Sequence, residues 1–308
     1  MSQLDESDRS VAEDAGWAEP PARKGFFTDT SVCIGCKACE VACKEWNGVP
    51  DDGFNLLGTS YDNTGELGAS TWRHVAFIEQ PATGVPPQGE TAGDLPAAGP
   101  TQLGMPTVGA PPARPDFRWL MSSDVCKHCT EAACLDVCPT GSLFRTEFGT
   151  VVVQDDICNG CGYCVPACPF GVIDRRVGDA GVKNVGIAQK CTLCYDRLRA
   201  DQMPACAQTC PTESIQFGDV EQLRERAANR LAQLQAQGVE GARLYGHDPD
   251  DGIGGAGAMF LLLDQPEVYG LPPAPVVTTR DLPDMWKKAG WAALTLAAAA
   301  IASFAGRS

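Results

Sequence analysis

The sequence predicts an α+β fold that consists of two related cysteine-rich units and a C-terminal helix. All sixteen cysteines of the 308-residue chain fall into four runs of four, and none is left over. Short apolar stretches of the kind that form strands flank these runs. A stretch without charged residues, from Ala289 to Gly306, predicts the helix.

The spacing of the cysteines indicates the chemistry of the two units. The first and third runs read C-x2-C-x2-C-x3-C, the bacterial ferredoxin pattern, in which three thiolates hold one iron–sulfur cluster and the fourth binds a neighbouring cluster. The second and fourth runs carry longer gaps but keep four cysteines each. We therefore expect four [4Fe–4S] clusters in two ferredoxin-like two-cluster units. The four runs are Cys33, Cys36, Cys39, Cys43; Cys126, Cys129, Cys134, Cys138; Cys158, Cys161, Cys164, Cys168; and Cys191, Cys194, Cys206, Cys210.

Zinc sites and disulfides are the alternative uses of so many cysteines. Zinc ribbons place two pairs of cysteines with a long gap between them, not three cysteines within seven residues. A disulfide framework is typical of small domains that cannot build a core, whereas this chain is 44% hydrophobic. The spacing favours iron–sulfur clusters over both.

Several segments resemble the iron–sulfur (beta) subunits of respiratory formate dehydrogenases, within the four-cluster electron-transfer subunits of molybdenum and tungsten bis-pterin oxidoreductases. The resemblance runs from about Gly25 to the C-terminus. The segments that carry it are 25–40, 126–129, 158–164 and 190–197, supported by 43–47, 71–73 and 264–271.

The resemblance implies which cysteines share a cluster and which proteins the chain works with. It implies two ferredoxin-like units in a pseudo-twofold arrangement, with electrons passing from a catalytic Mo/W-bis-pterin large subunit to a membrane cytochrome b and quinone. A hydrogenase, or a reductase of sulfur compounds or dimethyl sulfoxide, is the alternative catalytic partner. The implied ligand sets are Cys33, Cys36, Cys39 with Cys210; Cys191, Cys194, Cys206 with Cys43; Cys126, Cys129, Cys134 with Cys168; and Cys158, Cys161, Cys164 with Cys138.

On this layout the chain divides into six parts. They are a flexible acidic arm at 1–24, an outer unit at 25–80 and 185–220, a Pro/Gly-rich insertion at 81–115, an inner unit at 116–184, a C-terminal extension at 221–284, and a terminal helix at 285–308.

Local patterns predict the elements around the cysteines. Residues 150–153 and 214–217 read as short strands, and 258–263 as a buried strand. Asp219 is placed to cap a helix in which apolar residues recur at helical spacing from Val220 to Leu234.

The terminal helix predicts an association with the membrane. Eighteen uncharged residues of helix would extend about 27 Å, near the thickness of a bilayer core. Many of these residues are alanine or glycine, which suit close packing against another protein. The sequence therefore predicts a membrane-anchoring helix, or else a helix docked on a partner.

The charged residues exclude nucleic acid as a partner and indicate which residues could affect the clusters' reduction potentials. The formal net charge of −15 excludes a nucleic-acid-binding surface. Four lysines lie beside cysteines in the sequence, where each could raise a cluster's reduction potential or be an ordinary solvated surface lysine: Lys37, Lys44, Lys127 and Lys190. His128, inside the second run, is predicted to be a hydrogen-bond partner near a cluster and not a ligand, because four cysteines already fill the site.

Overall fold

The computed structural model describes residues 10–51, 64–81, 117–179 and 181–305. The Pro/Gly-rich insertion predicted at 81–115 lies outside these residues except for Pro81. Residues 1–9 of the predicted N-terminal arm lie outside them as well.

The described chain is a mixture of short helices and short strands. The helices are α1 (Val11–Asp14), α2 (Ala38–Asn47), α3 (Ala133–Asp136), α4 (Cys164–Ala167), α5 (Tyr195–Arg199), α6 (Ala205–Gln208), α7 (Val220–Ala236) and α8 (Leu282–Ala305). The strands are β1 (Lys24–Asp29), β2 (Arg73–Pro81), β3 (Phe117–Val125), β4 (Leu143–Arg145), β5 (Val151–Val153), β6 (Asp174–Arg175), β7 (Ala188–Gln189), β8 (Ile215–Asp219), β9 (Arg243–Tyr245) and β10 (Ala258–Leu262).

A four-stranded sheet in the order β8-β1-β10-β9 forms the base of the molecule. Strand β1 pairs parallel with β10 and antiparallel with β8, while β9 pairs antiparallel with β10. Three antiparallel pairs, β2–β3, β4–β5 and β6–β7, complete the strand pairing of the described residues. The strands predicted at 150–153, 214–217 and 258–263 are confirmed as β5, β8 and β10.

The sheet separates helix α7 from the cysteine-rich core. Successive side chains of a strand point to opposite faces of its sheet. Phe26 and Phe27 of β1, both fully buried, therefore pack on opposite sides of the sheet. Phe27 packs with Leu223 and Ala227 of α7. Phe26 packs with Phe260 of β10 in the core that contains the cysteines.

Helix α7 confirms the helical periodicity predicted after Asp219. Its buried residues include Val220, Leu223 and Leu234. Asp219 stands at the N-cap position, but its side chain makes no capping hydrogen bond to the helix backbone. It accepts a hydrogen bond from Lys24 Nζ instead, at 2.5 Å. Strand β1 is therefore linked to the start of the helix by an ion pair.

The prediction of a flexible N-terminal arm is wrong for residues 10–24. Ser10 and Glu13 form a capping box that starts α1. Trp17 Nε1 donates to the carbonyl of Arg145, and the Arg23 guanidinium donates to Thr130 and to the carbonyl of His128. The acidic composition of the arm concealed these contacts, because they depend on a few polar side chains that meet distant backbone.

The predicted terminal helix is present as α8, which runs from Leu282 to Ala305. Among the described residues, no helix combines the length and the apolar character needed to cross a membrane. Asp284, Lys287 and Lys288 lie in its first turns, and alanine, which adds little hydrophobic free energy, dominates the rest. The membrane-spanning interpretation is thus corrected, and docking on a partner stays a prediction.

Packing of α7 on the sheet makes Leu223 important for stability. We expect Leu223→Ala to destabilise the protein by about 2–5 kcal/mol, because it removes a fully buried side chain between helix and sheet. The measurement is the midpoint of denaturant unfolding, followed by far-UV circular dichroism under anaerobic conditions. Gln235→Ala, on the exposed side of the same helix, is the matched control and should change stability by less than about 0.5 kcal/mol. Equal effects of the two substitutions would contradict the assigned packing.

Candidate metal centres

The four C-x2-C loops share one backbone turn. In each loop the residue just before the second cysteine has a positive φ: 64° at Gly35, 45° at His128, 72° at Gly160 and 59° at Leu193. Glycine adopts this conformation freely, whereas histidine and leucine adopt it at an energetic cost. At Gly35 an added Cβ would lie 2.6 Å from Met121 Sδ, so the loop also packs closely on β3. The same turn thus orients the first two cysteines of every run.

The first group of thiols lines a cavity between α2 and β8. Its four cysteines are Cys33, Cys36, Cys39 and Cys210. Helix α2 begins right after the first loop and carries Cys39 inwards. Cys210 reaches the same cavity from the far end of the sequence because β8, which follows it, pairs with β1.

A second cavity is lined by Cys126, Cys129, Cys134 and Cys168. Lys127, His128 and Lys190 are among the other residues of its wall.

The remaining eight cysteines form two further groups, as their mutual electrostatic influence shows. Cys43 lies near Cys191, Cys194 and Cys206, whose charges raise its pKa further after burial has raised it. Cys164 is influenced in the same way by Cys158, Cys161 and Cys138. Each group thus combines three cysteines of one run with the fourth of another, as in the sets that the resemblance implies. Binding of one cluster by each group stays a prediction.

Burial makes these groups unfavourable for free thiolates. It raises the pKa of Cys39 to about 11, of Cys164 to about 11 and of Cys134 to about 12. At neutral pH these three unmetallated thiols would therefore hold their protons. Metal binding requires thiolates, so metal ions would displace these protons and compensate the buried negative charge. Closely packed buried sulfurs of this kind are chemically suited to iron–sulfur clusters.

Several polar side chains contact the cysteine sulfurs. Ser123 Oγ lies 3.2 Å from Cys39 Sγ, and Asn47 Nδ2 donates to Cys43 Sγ and Cys194 Sγ at 3.7 and 3.9 Å. Hydrogen bonds to sulfur stabilise the thiolate and affect a cluster's reduction potential. These residues carry no local sequence signal for this role, because they come from β3 and from the end of α2 and meet the sulfurs only in the folded chain.

A repeated motif could have revealed another set of sulfur contacts. The second and fourth runs both end in C-P-T-x-S, at 138–142 and 210–214. Thr140 and Ser142 lie 3.6 and 3.2 Å from Cys138 Sγ, and Thr212 lies 3.9 Å from Cys210 Sγ. Although burial raises the pKa of Cys138, these hydroxyls and the neighbouring backbone N–H groups lower it to about 7.

The four predicted tuning lysines occupy two kinds of environment. Lys127 and Lys190 are almost fully buried, at 1% and 2% exposure. Lys127 pairs with Asp124 and donates to the carbonyl of Val125, while Lys190 donates to the carbonyls of Val151 and Cys191. Both add positive charge near the second cavity.

Lys37 and Lys44 have more contact with solvent. Lys37 pairs with Glu40 at 3.3 Å, and Lys44 donates to the carbonyl of Pro50. The structure therefore separates two buried lysines from two at the surface, although all four looked alike in the sequence.

His128 is buried and neutral. Burial, helped by the charges of Lys190 and Arg23, holds its pKa well below the usual range. Its Nδ1 accepts a hydrogen bond from Val151 N–H at 3.1 Å, so the proton resides on Nε2. Nε2 is buried and has no hydrogen-bond partner among the described residues. An N–H group is thus available beside the second cavity, as expected for a donor to a cluster.

Two stretches of the chain match families described as 4Fe-4S dicluster domains, at residues 32–142 and 117–220. The chain is 37% identical over 282 residues to the nitrate-inducible formate dehydrogenase iron–sulfur subunit of Escherichia coli (strain K12), covering 90% of this chain and 81% of the relative. The chain belongs to the family of formate dehydrogenase iron–sulfur subunits. It is 37% identical over 253 residues to the formate dehydrogenase iron–sulfur subunit of Haemophilus influenzae, covering 81% and 68% of the two chains.

Family membership establishes the general role of the chain. It is an electron-transfer iron–sulfur subunit of a formate dehydrogenase-type complex, with two dicluster domains, which implies catalytic partner subunits. The sixteen cysteines within these domains are consistent with multiple [4Fe–4S] clusters.

Similarity also extends to a subunit of the anaerobic dimethyl sulfoxide reductase of Escherichia coli (strain K12), at 31% identity over 208 residues, 68% of this chain and 79% of the relative.

In the described part of the chain, no three Cys, His, Asp or Glu side chains come close enough together to hold a single metal ion. A cubane separates its four thiolates more widely than one ion does, so the four groups remain suitable for clusters.

A substitution of Cys210 tests whether the first cavity binds a cluster. We expect Cys210→Ala to lose between about one and four iron atoms per chain and to change one cluster signal in the electron paramagnetic resonance (EPR) spectrum, because one of four thiols is removed. Thr212→Val removes only a hydroxyl near the same sulfur and should retain all the iron. An unchanged iron content in the cysteine variant would exclude Cys210 as a ligand.

Proposed function

We propose that the chain carries electrons from formate oxidation in a catalytic Mo/W-bis-pterin subunit, through four [4Fe–4S] clusters, towards a membrane cytochrome b and quinone. The single observation that carries this proposal is the gathering of the sixteen cysteines into four groups of four. Each group would bind one cluster, with its cysteines as thiolate ligands.

The neighbour relations between the groups support a relay. Cys39 of the first group is influenced electrostatically by Cys206 of the second, which also contains Cys43 and Cys191. Cys191 is influenced in turn by Cys126 of the third group. Cys134 of the third group is influenced by Cys164 of the fourth. The four clusters would therefore follow one another in a single row.

The exposure of the cysteines suits electron entry and exit at the two ends of this row. Cys36 in the first group and Cys161 in the fourth are exposed. In contrast, all four cysteines of the second group are buried. An electron could thus enter at one terminal cluster and leave at the other, while the protein shields the middle of the row from water.

Helix α8 provides a surface for a partner subunit. Its described side chains from Asp284 to Ser303 are exposed. They include large apolar residues, among them Trp286, Trp291 and Leu296 at 72–74% exposure. A helix of this kind gains free energy by packing its apolar side chains on another protein. We propose the membrane cytochrome b subunit as that protein, which would associate the chain with the membrane.

The decisive experiment is reduction of the clusters by formate. The tagged chain is purified anaerobically together with its large subunit, formate is added, and low-temperature EPR spectra are recorded. We expect signals of reduced [4Fe–4S] clusters after formate addition, because electrons from the catalytic subunit would enter the relay. Iron and zinc analysis of the same sample is expected to give iron and no stoichiometric zinc.

Dithionite is the control for this experiment. If dithionite produces the signals and formate does not, although the large subunit is present, the clusters are real and the formate assignment is wrong. If neither reductant produces a signal, the cluster assignment fails and a zinc-bound scaffold becomes the better explanation.

The similarity to a dimethyl sulfoxide reductase subunit favours a second candidate, the same electron relay in a different oxidoreductase. In that case electrons would flow towards the catalytic subunit. Dithionite-reduced clusters would then be reoxidised by dimethyl sulfoxide and would not respond to formate.

Deletion of residues 282–308 tests the docking role of α8. We expect the shortened chain to retain its iron and its solubility, because the described side chains of the helix are exposed and bury little of their surface against the body. We also expect it to lose the membrane cytochrome in co-purification, while the large subunit stays bound. As a matched control, Thr295→Ala within the helix should leave both partners bound. Retention of the cytochrome by the shortened chain would contradict this docking role.

A further inference from the structure

Arg73, at the start of β2, lies inside the cysteine-containing core, with its guanidinium over the ring of Phe26. Its side chain is among the largest that are fully buried, with 1% of its surface exposed. Strand β2 pairs with β3, whose Ser123 approaches Cys39 of the first group. Burying an arginine is costly unless its charge and its N–H groups find partners.

One edge of the guanidinium is connected to Cys39 through Ser123. Arg73 Nη1 donates to Ser123 Oγ at 3.0 Å and to the Ser123 carbonyl at 3.2 Å. Ser123 Oγ lies 3.2 Å from Cys39 Sγ. Because the hydroxyl oxygen accepts from the guanidinium, its hydrogen is free to donate to the sulfur. Arg73 therefore orients a donor towards a cysteine of the first group.

The other N–H groups of Arg73 have no protein partner within the described chain. Nε and Nη2 are buried, and neither has a hydrogen-bond acceptor among the residues that the structure describes. The guanidinium carbon lies 4.9 Å from the centre of the Phe26 ring, so one face is covered by an aromatic side chain. Three N–H bonds of a buried cation thus remain available for acceptors of another kind, such as cluster sulfur.

The charges that act on Arg73 come from both outer groups. Burial lowers its pKa, but Cys206, Cys39, Cys191 and Cys43 outweigh burial and raise the pKa above its usual value. Arg73 is reciprocally among the charges that lower the pKa values of Cys39 and Cys43. The guanidinium is therefore a permanent cation shared by the first and second groups.

We propose that Arg73 is a positioning residue that raises the reduction potentials of the two outer clusters, by placing a fixed positive charge and N–H donors beside the sulfurs of both. A cluster gains one negative charge when it accepts one electron from its neighbour, and a buried cation stabilises that charge. This inference rests on the proposed function, since it requires clusters in the first two groups.

Arg73 differs from the lysines that were predicted from the sequence to raise the clusters' reduction potentials. Lys127 shares its charge with Asp124, and Lys190 donates to backbone carbonyls. The hydrogen bonds of Arg73 go to a neutral serine, and its other two nitrogens remain free of protein acceptors among the described residues. Its positive charge and its remaining N–H groups are therefore available to the clusters.

The test is an EPR-monitored redox titration of the purified complex, with dithionite as the reductant. Signals of the outer pair are identified by their change in Cys210→Ala and Cys43→Ala. In Arg73→Met we expect both outer clusters to become harder to reduce by about tenfold in the reduction equilibrium constant, about 59 mV for a one-electron couple, while the inner clusters keep their potentials. Arg73→Lys keeps the charge and should recover a substantial part of this shift.

A buried arginine serves as the matched control. Arg176 is 4% exposed and donates to the carbonyls of Ala69 and Lys183. Arg176→Met should leave the potentials of the outer pair unchanged. If Arg73→Met shifts all four clusters alike, or shifts none while retaining its iron, the inference is wrong. A lysine variant that shifts as far as the methionine variant would also contradict the role assigned to the charge.

A second variant covers the case in which Arg73→Met loses its clusters. Ser123→Ala removes only the hydroxyl between Arg73 and Cys39, and we expect it to lower the potential of the single cluster that contains Cys39. No shift in that cluster would overturn the inference. The dithionite titration is independent of formate, so this inference can fail while the proposed function stands. Absence of clusters from the wild-type complex would instead defeat the proposed function.

Discussion

The structure depends on keeping sulfur ligands away from water. A buried thiolate is unfavourable alone, and burial raises the pKa of cysteines such as Cys39 and Cys134 well above the ordinary value. Only groups that bring positive charge can make so many buried and partly buried thiolates acceptable in one core. Iron supplies most of that charge in the proposed state. The protein adds buried cations, of which Arg73, Lys127 and Lys190 are nearly inaccessible to solvent.

The four-stranded sheet and α7 hold the cysteine groups in place, although the rest of the described chain contains little regular structure. Many helices and strands near the cysteines have two to five residues, too few to be stable alone. The parallel pairing of β1 with β10 brings an early segment of the chain beside a late one, and β8 follows the last cysteine run into the same sheet. Bound clusters would then link loops that have little other structure, so folding and cofactor binding are coupled.

Family membership agrees with this physical picture and identifies the kind of complex as formate dehydrogenase-type. The two dicluster domains explain why the cysteines occur in four similar loops, each with one residue of positive φ before its second cysteine. Leu193 and His128 adopt that conformation at a cost in conformational free energy, because they lack the freedom of glycine. Binding of a cluster by the loop would offset this cost. The electrons themselves need no catalytic side chain here, because the cofactors perform the redox chemistry.

The sequence by itself determined the number and spacing of the cysteines, hence the type of cofactor, together with strands β5, β8 and β10 and helix α7. These features are local, since cysteine spacing and hydrophobic periodicity act over a few residues. The tertiary structure alone decided that Lys127 and Lys190 are buried, that residues 10–24 pack on the body, and that Arg73 lies inside the cysteine-containing core. Burial and charge at these positions depend on contacts between segments far apart in the chain, such as β2 and β3, for which the sequence carries no local signal.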